Sequence, residues 1–274
     1  MNELAATLPL RHGGPIPIVG LGVFRAGSGR GTQDAVRWAL ARGYRHIDTA
    51  HIYRNEVDVG EALARSEVPR DEVFVTTKLW NDDHGYDPAL AAVEASLAAL
   101  KLDYVDLYLV HWPLRGKRVE TWRAMERVLE LGYARAIGVS NYMVRHLDEL
   151  EANAKVLPAV NQIELHPFCQ QRDTVAWCRA RDILVEAYSP LTKGKKLDDP
   201  TLAAIGRARG RTPAQILLRW SIQKGYVPLP KSADPSRIDE NASVFDFALN
   251  EAEMSKLEAL EQDLHTAWNP NDEP

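Results

Sequence analysis

Four residues have the types and the placement for proton transfer at a polarised oxygen: Asp48, Tyr53, Lys78 and His111. Asp48 and Tyr53 lie in His46-Ile47-Asp48-Thr49-Ala50-His51-Ile52-Tyr53, just past a short apolar strand. Gly43-Tyr44 reads as the end of the preceding helix and Glu56 opens the next one. Acid and phenol therefore stand at a strand's C-terminal end, the edge where parallel α/β folds gather their chemistry. Lys78-Leu79-Trp80 and His111-Trp112-Pro113 end two later strands in the same way. Each residue alone has a plain structural reading: a turn cap, an interfacial aromatic, a solvated edge charge, a packed imidazole. Independent accidents would not all fall at the same end of successive strands.

The elements that must position them recur in one order. Strand patterns fall at Val19–Gly22, Arg45–Asp48, Val73–Lys78, Val105–His111, Ala134–Ser140, Val160–Glu164, Leu184–Tyr188 and Tyr226–Pro230. Helical patterns alternate with them: Asp34–Arg42, Glu56–Ala64, Ala89–Leu100 with Asp87-Pro88 as its N-cap and first turn, one through Trp122, Met125 and Leu129, Val144–Glu151 and Asp173–Arg181. Pro200–Arg209 and Pro213–Gln223 both precede the last strand; Asp234–Ser243 and Glu251–Leu260 follow it. Strand-then-helix order throughout demands parallel strands, and eight of them predict a closed (β/α)8 TIM barrel with an extra C-terminal helix. Leu8 to Ile18, bent at His12-Gly13-Gly14-Pro15, reads as an N-terminal β-hairpin placed to plug the barrel's lower end. The expectation is one domain spanning 1–274.

The later strands end in a second chemical group: Ser140-Asn141, Asn161-Gln162, Tyr188-Ser189-Pro190-Leu191 and Lys231-Ser232. Amides, hydroxyls, a flat ring and a cation suit a large polar ligand. With no Gly-x-Gly-x-x-Gly or P-loop pattern, a nucleotide would have to bind the barrel face. The net charge of -5 shows no basic excess suited to nucleic acid or an anionic membrane. Two cysteines, Cys169 and Cys178, are too few for a disulfide framework or a thiolate cluster and read as reduced. His46, His84, His146 and His166 show no ligand spacing and read as structural; no metal is expected. The first residues lack a basic-then-apolar leader pattern, and no apolar run is long enough to span a bilayer.

Three stretches resemble the signatures of the aldo-keto reductase superfamily: Gly43 to Ala50 with Tyr53, Glu56 and Gly60; Arg135 to Tyr142; and Leu229 to Ser232 with Arg237, Glu240 and Asn241. The short loops resemble its bacterial-type, diketogluconate reductase-like aldehyde and ketone reductases. The resemblance implies that Asp48, Tyr53, Lys78 and His111 form the catalytic tetrad. It implies that Gly22, Ser140, Asn141, Gln162, Tyr188, Ser189, Leu191, Lys231, Ser232, Arg237, Glu240 and Asn241 hold NADP(H), and that Phe24, Trp80 and Trp112 wall the substrate pocket. The function so implied is NADPH-dependent reduction of small aldehydes, ketones or dicarbonyls by a cytoplasmic monomer. Its alternatives are a non-enzymatic NADP(H)-binding protein on the same scaffold and a barrel aldolase using Lys78 as Schiff-base nucleophile.

Within that expectation each residue has a task. Tyr53 is the general acid, and Lys78 lowers its pKa from the phenol's ordinary value of about 10. Asp48 keeps Lys78 charged, and a neutral His111 orients the carbonyl oxygen. Tyr188 offers a ring for the nicotinamide, while Ser140, Asn141 and Gln162 hold its carboxamide. Arg237 reads the ribose phosphate, with Asp234 and Asp239 close enough to oppose it if they point inward. The segment from Trp112 to Lys117 and the tail after Leu264 are short, which predicts an open pocket.

Overall fold

The computed structural model describes Leu4 and residues 6–272; Met1 to Glu3, Ala5, Glu273 and Pro274 of the expected domain lie outside the described residues. Strands β1 (Thr7–Leu8) and β2 (Ile16–Pro17) pair antiparallel across a turn in which Gly13 and Gly14 both take positive φ. A Cβ on Gly13 would stand 2.5 Å from the carbonyl oxygen of Arg135, so this turn needs glycine for space as well as for φ. Eight parallel strands come next: β3 (Leu21–Gly22), β4 (His46–Asp48), β5 (Phe74–Leu79), β6 (Val105–Val110), β7 (Ala134–Ser140), β8 (Val160–Glu164), β9 (Leu184–Tyr188) and β10 (Val227–Pro228). Each pairs with its neighbour in chain order. The first and last strands are shorter than their sequence patterns, yet they close the ring. Gly20 N–H donates to Pro228 O and Gly22 N–H to Pro230 O, both at 3.1 Å, and Gly22 bridges Lys231.

Helices α1 (Arg30–Arg42), α2 (Glu56–Ala64), α3 (Tyr86–Leu100), α4 (Arg118–Leu131), α5 (Val144–Glu151) and α6 (Arg172–Arg179) alternate with the strands. Then α7 (Pro200–Arg209) and α8 (Pro213–Gln223) both follow β9, and α9 (Pro235–Ala242) and α10 (Glu251–Glu258) follow β10. The expected ends hold where a side chain marks them: Asp199, Thr212, Asp234 and Asn250 each accept backbone N–H bonds at the N-caps of α7 to α10. Helix α3 corrects its expectation. It starts at Tyr86, with Gly85 as N-cap at φ 130°, ψ 178°, so Asp87 lies inside the first turn. There the Gly85 N–H is taken by Thr121 Oγ, a partner from another helix that no local pattern reveals.

Parallel strands covered on both sides are buried along their length, and all six residues of β5 are. One apolar core lies between sheet and helices, with Val75, Leu79, Tyr108, Val110, Trp122 and Met125 in it. A second lies inside the barrel: Phe74, Leu107, Leu109, Ala136, Val160, Val227 and Leu229, with Ile16 of the hairpin fully buried among them. The hairpin is therefore the plug that the sequence predicts, and the C-terminal ends of the strands lie at the opposite mouth.

The C-terminal tail is sewn to that mouth by hydrogen bonds. Gln262 N–H and Leu264 N–H donate to Phe168 O, and Lys193 Nζ donates to Thr266 O. Glu164, which ends β8 fully buried, accepts from Thr266 N, Thr266 Oγ and Ala267 N at its two oxygens, and His166 Nε2 stands 3.4 Å away. Cys169, Asp263 and His265 converge beside it with ligand-type atoms within 4.8 Å of one another, a convergence the spacing does not show. His265 Nε2 hydrogen-bonds Asp263, and burial pushes the Cys169 thiol pKa up.

Burial alone would raise the pKa of Glu164, but the bonds from His166, Thr266 and Ala267 outweigh it and hold it down to about 2. A carboxylate depressed in the folded state stabilises fully above its unfolded pKa of about 4.5 and loses that contribution as pH falls toward about 2. Glu164→Gln is expected to lose about 2–3 kcal/mol of unfolding free energy at neutral pH. Urea titrations in steps down through the acid range check this: the gap to wild type must shrink below about pH 4.5, and a constant gap would refute the linkage.

Candidate active site

Lys78 is fully buried near the end of β5, two residues past Thr76, the pairing partner of Asp48 on β4. That register brings the two charges together. Lys78 Nζ donates to Asp48 Oδ1 at 2.7 Å, Asp48 Oδ2 at 2.8 Å and Thr49 O at 2.8 Å. Burial alone would strip the lysine of its proton, but Asp48, with Tyr53 in support, holds its pKa above the ordinary lysine value.

Tyr53 ends a 3-10 turn, His51–Tyr53, that comes after β4, and its ring centroid lies 5.2 Å from Lys78 Nζ. Its ring is half-buried, but its hydroxyl end is desolvated beside the buried lysine. Desolvation raises the phenol pKa; Lys78 lowers it and Asp48 raises it again. The net shift is upward, opposite to the sequence expectation. Lys78 does act in the expected direction, but burial is the larger influence and Asp48 works against the lysine. The phenol therefore keeps its proton through neutral pH.

His111, just past β6, stands edge-on to Tyr53 at 5.8 Å and to Trp80 at 5.3 Å between ring centroids. Burial first, then Lys78, push its pKa well below the ordinary histidine range, so the imidazole is neutral as expected. Around this group stand aromatics. Phe24, 42% exposed, lies 4.9 Å from Tyr53; Trp80 is half-buried; Trp112 is buried and packs at 5.7 Å against Trp268 of the tail. The tail thus brings an aromatic ring beside this group, one that no pattern in the sequence assigns.

The second group of strand-end residues forms a connected set. Ser140 Oγ donates to the Gln162 backbone oxygen at 2.8 Å. Asn141, at φ 64°, donates from Nδ2 to His111 O at 2.9 Å and accepts from Tyr188 OH at 2.8 Å, which fixes the orientation of the Tyr188 ring. Gln162 Nε2 donates to Asp48 Oδ2 at 2.9 Å and to Glu186 Oε2 at 2.9 Å, joining this set to the Asp48–Lys78 pair. Ser189 takes a left-handed backbone at φ 49°, and Leu191 packs half-buried on the outer core.

At the β10 end, Lys231 is exposed beside Gly22, while Ser232 is buried and hydrogen-bonded to the Asp234 backbone. Arg237 is exposed in the first turn of α9, and among the described residues its guanidinium has no ion pair. Its acidic neighbours are committed elsewhere: Asp234 caps α9, and Asp239 pairs with Arg42 at 2.7 Å. Glu240 accepts from Thr212 Oγ, and Asn241 is buried. The four histidines expected to be structural are partnered: His46 with Thr76, His84 with Thr121, His146 with the Met143 N–H and His166 with Glu164. Two buried acids of this mouth, Glu164 and Glu186, escape a reading confined to the residues just past each strand. Their signal is a charge inside a parallel strand.

Residues 19–262 match the family model described as Aldo/keto reductase family. The chain is 45% identical to a glyoxal reductase of Bacillus subtilis over 99% of its own length and 98% of that protein's. It is 48% identical to a 9,11-endoperoxide prostaglandin H2 reductase of Trypanosoma cruzi over 93% and 92%. Among solved structures, an aldo/keto reductase of Brucella melitensis superposes with a TM-score of 0.90 at 45% identity, covering 93% of this chain and 99% of that one. An aldo-keto reductase of Bombyx mori in complex with NADP superposes at 0.88 with 39% identity, covering 96% and 94%. A tetrad of acid, phenol, lysine and imidazole at the mouth of a plugged barrel agrees with these likenesses along nearly the whole chain, which belongs to the aldo/keto reductase family and is an oxidoreductase.

Proposed function

We propose that this oxidoreductase uses NADP(H) to reduce aldehydes, ketones or dicarbonyls to alcohols, with Tyr53 as the proton donor. The observation that carries the reading is the Lys78 ammonium, held by both oxygens of Asp48 beneath a proton-loaded Tyr53 and a neutral His111. NADPH, when bound, supplies the hydride. Tyr53 gives its proton to the oxygen as negative charge develops there, and Lys78 stabilises the phenolate left behind. His111 orients that oxygen through a ring N–H. The residues present fit the cofactor. Arg237 offers a guanidinium with no ion pair among the described residues; of its acidic neighbours, Asp234 caps α9 and Asp239 pairs with Arg42, which supports a role in holding a phosphate. Tyr188, tethered by its hydroxyl, offers a fixed flat face. Gly22, Ser140, Asn141, Gln162, Ser189, Leu191, Lys231, Ser232, Glu240 and Asn241 complete the assigned set.

Likeness to the glyoxal reductase supports dicarbonyls within the substrate class, and walls of Phe24, Trp80, Trp112 and Trp268 favour substrates with an apolar or flat body. A site assembled within one chain and two buried, unpaired cysteines support a monomer in the cytoplasm. No described helix is long and apolar enough to cross a membrane. Lys78 argues against the aldolase reading, because an amine kept charged and bonded to three oxygens has no free lone pair for a Schiff base.

Tyr53→Phe is expected to cut turnover at least about a hundredfold while NADPH still binds. NADPH consumption with glyoxal and a panel of aldehydes at saturating cofactor measures it; turnover retained in a folded variant would remove Tyr53 as the acid. Wild type is expected to bind NADPH at least about tenfold tighter than NADH, roughly 1.4 kcal/mol, and Arg237→Ala to erase most of that ratio. Fluorescence titration with both nucleotides decides it, equal wild-type affinities or an unaltered ratio in the variant being the adverse results.

A further inference from the structure

Strand β9 reads Leu-Val-Glu-Ala-Tyr, and Glu186 at its centre is fully buried, register partner of Gln162 on β8 and Val227 on β10. A carboxyl at such a position costs free energy unless it is bonded, and an apolar side chain would cost nothing. Glu186 Oε2 accepts from Gln162 Nε2 at 2.9 Å. Its Oε1 has no hydrogen-bond partner, and His46 Nε2 stands 3.7 Å from it. Burial, reinforced by the charge of Asp48 and opposed by Gln162 and Lys78, pushes the Glu186 pKa up to about 8. The group is thus carried mainly as the neutral acid.

The consequence falls on Gln162. Its amide nitrogen has two hydrogens and meets an acceptor for each, Asp48 Oδ2 on one side and Glu186 Oε2 on the other. The reversed amide would press its oxygen against Asp48 Oδ2, which already accepts from Lys78 Nζ. The Gln162 oxygen is therefore turned away from both acids. Among the described residues nothing donates to it, and it is not among the sealed, unpartnered atoms of the interior. It is the open, unused acceptor of an otherwise buried side chain, set between the tetrad and Tyr188.

We propose that Glu186 is a positioning residue which, with Asp48, locks the Gln162 amide so that its oxygen accepts from the carboxamide N–H of the nicotinamide. This rests on the NADP(H) reading above. Glu186 touches neither cofactor nor substrate; it acts through Gln162 alone.

The test compares NADPH with 2′-phospho-ADP-ribose, which shares the adenosine half but lacks the nicotinamide, by calorimetry on wild type, Glu186→Leu and Glu186→Gln. In Glu186→Leu the amide loses one acceptor, so NADPH binding is expected to weaken about tenfold while 2′-phospho-ADP-ribose stays within about twofold. Glu186→Gln keeps an oxygen for the same N–H and is expected to restore NADPH affinity to near the wild-type value. Should the leucine variant fail to fold, Glu186→Met, unbranched and close in size, carries the same comparison. Equal weakening of both ligands would mean general damage to the fold, and an unchanged NADPH affinity in Glu186→Leu, or no rescue by Gln, would equally overturn the role. Wild type that binds neither ligand would overturn the cofactor reading and this proposal together; equal wild-type affinity for the two ligands, or a preference for NADPH with an adverse variant pattern, would overturn only the proposal.

Discussion

A primary ammonium with no exposed surface must find an oxygen for each of its protons or lose one of them. Lys78 finds three oxygens, two from Asp48 and one from the Thr49 backbone. Removing one partner of such a buried pair costs about 3–5 kcal/mol, whereas an apolar pair of similar volume is often no less stable. Stability is therefore a weak reason for a fold to keep it. The pair asks much of its surroundings: β4 and β5 must end side by side, the 3-10 turn must bring Tyr53 over the lysine, and water must be kept out from below. The apolar layer of Phe74, Leu107, Val160 and Val227, stopped by Ile16 of the hairpin, supplies that seal.

Field and desolvation then divide the site. Burial, reinforced by the same lysine that favours phenolate at Tyr53, keeps His111 neutral, and Asp48 opposes the lysine's effect on the phenol. Because Asp48 also accepts from Gln162, the buried ion pair and the amide network at the other half of the mouth are mechanically one unit.

Much of this is legible in the sequence because it is written in short range. Gly43 ends α1 in a left-handed turn, the capping side chains Asp199 and Thr212 open α7 and α8, and β7, β8 and β9 run between the residues their patterns predict. The chemical types at the strand ends also bring the tetrad residues to one mouth. The features that escape depend on partners distant in the chain. The start of α3 is set by Thr121, the direction of the Tyr53 shift by its desolvation, and the place of Trp268 by a carboxylate more than a hundred residues earlier. Glu186 is visible as a charge in an apolar strand, but its hydrogen-bond partner Gln162 stands on β8, brought within reach by strand pairing rather than by any local pattern.

The tail's manner of attachment separates two properties that one chain must carry. Trp268 meets Trp112, and Thr266 and Ala267 hang from Glu164 and Lys193, but none of these tail contacts involves Asp48, Tyr53, Lys78 or His111. The tail is held by hydrogen bonds to a peg rather than by burial in either core. Sequence beyond Leu264 is thus free to diverge, or to be exchanged for another tail carrying the same two N–H donors, without disturbing the Asp48–Lys78 pair and the rings of Tyr53 and His111 beneath it. In this architecture the tail and the buried ion pair can evolve independently.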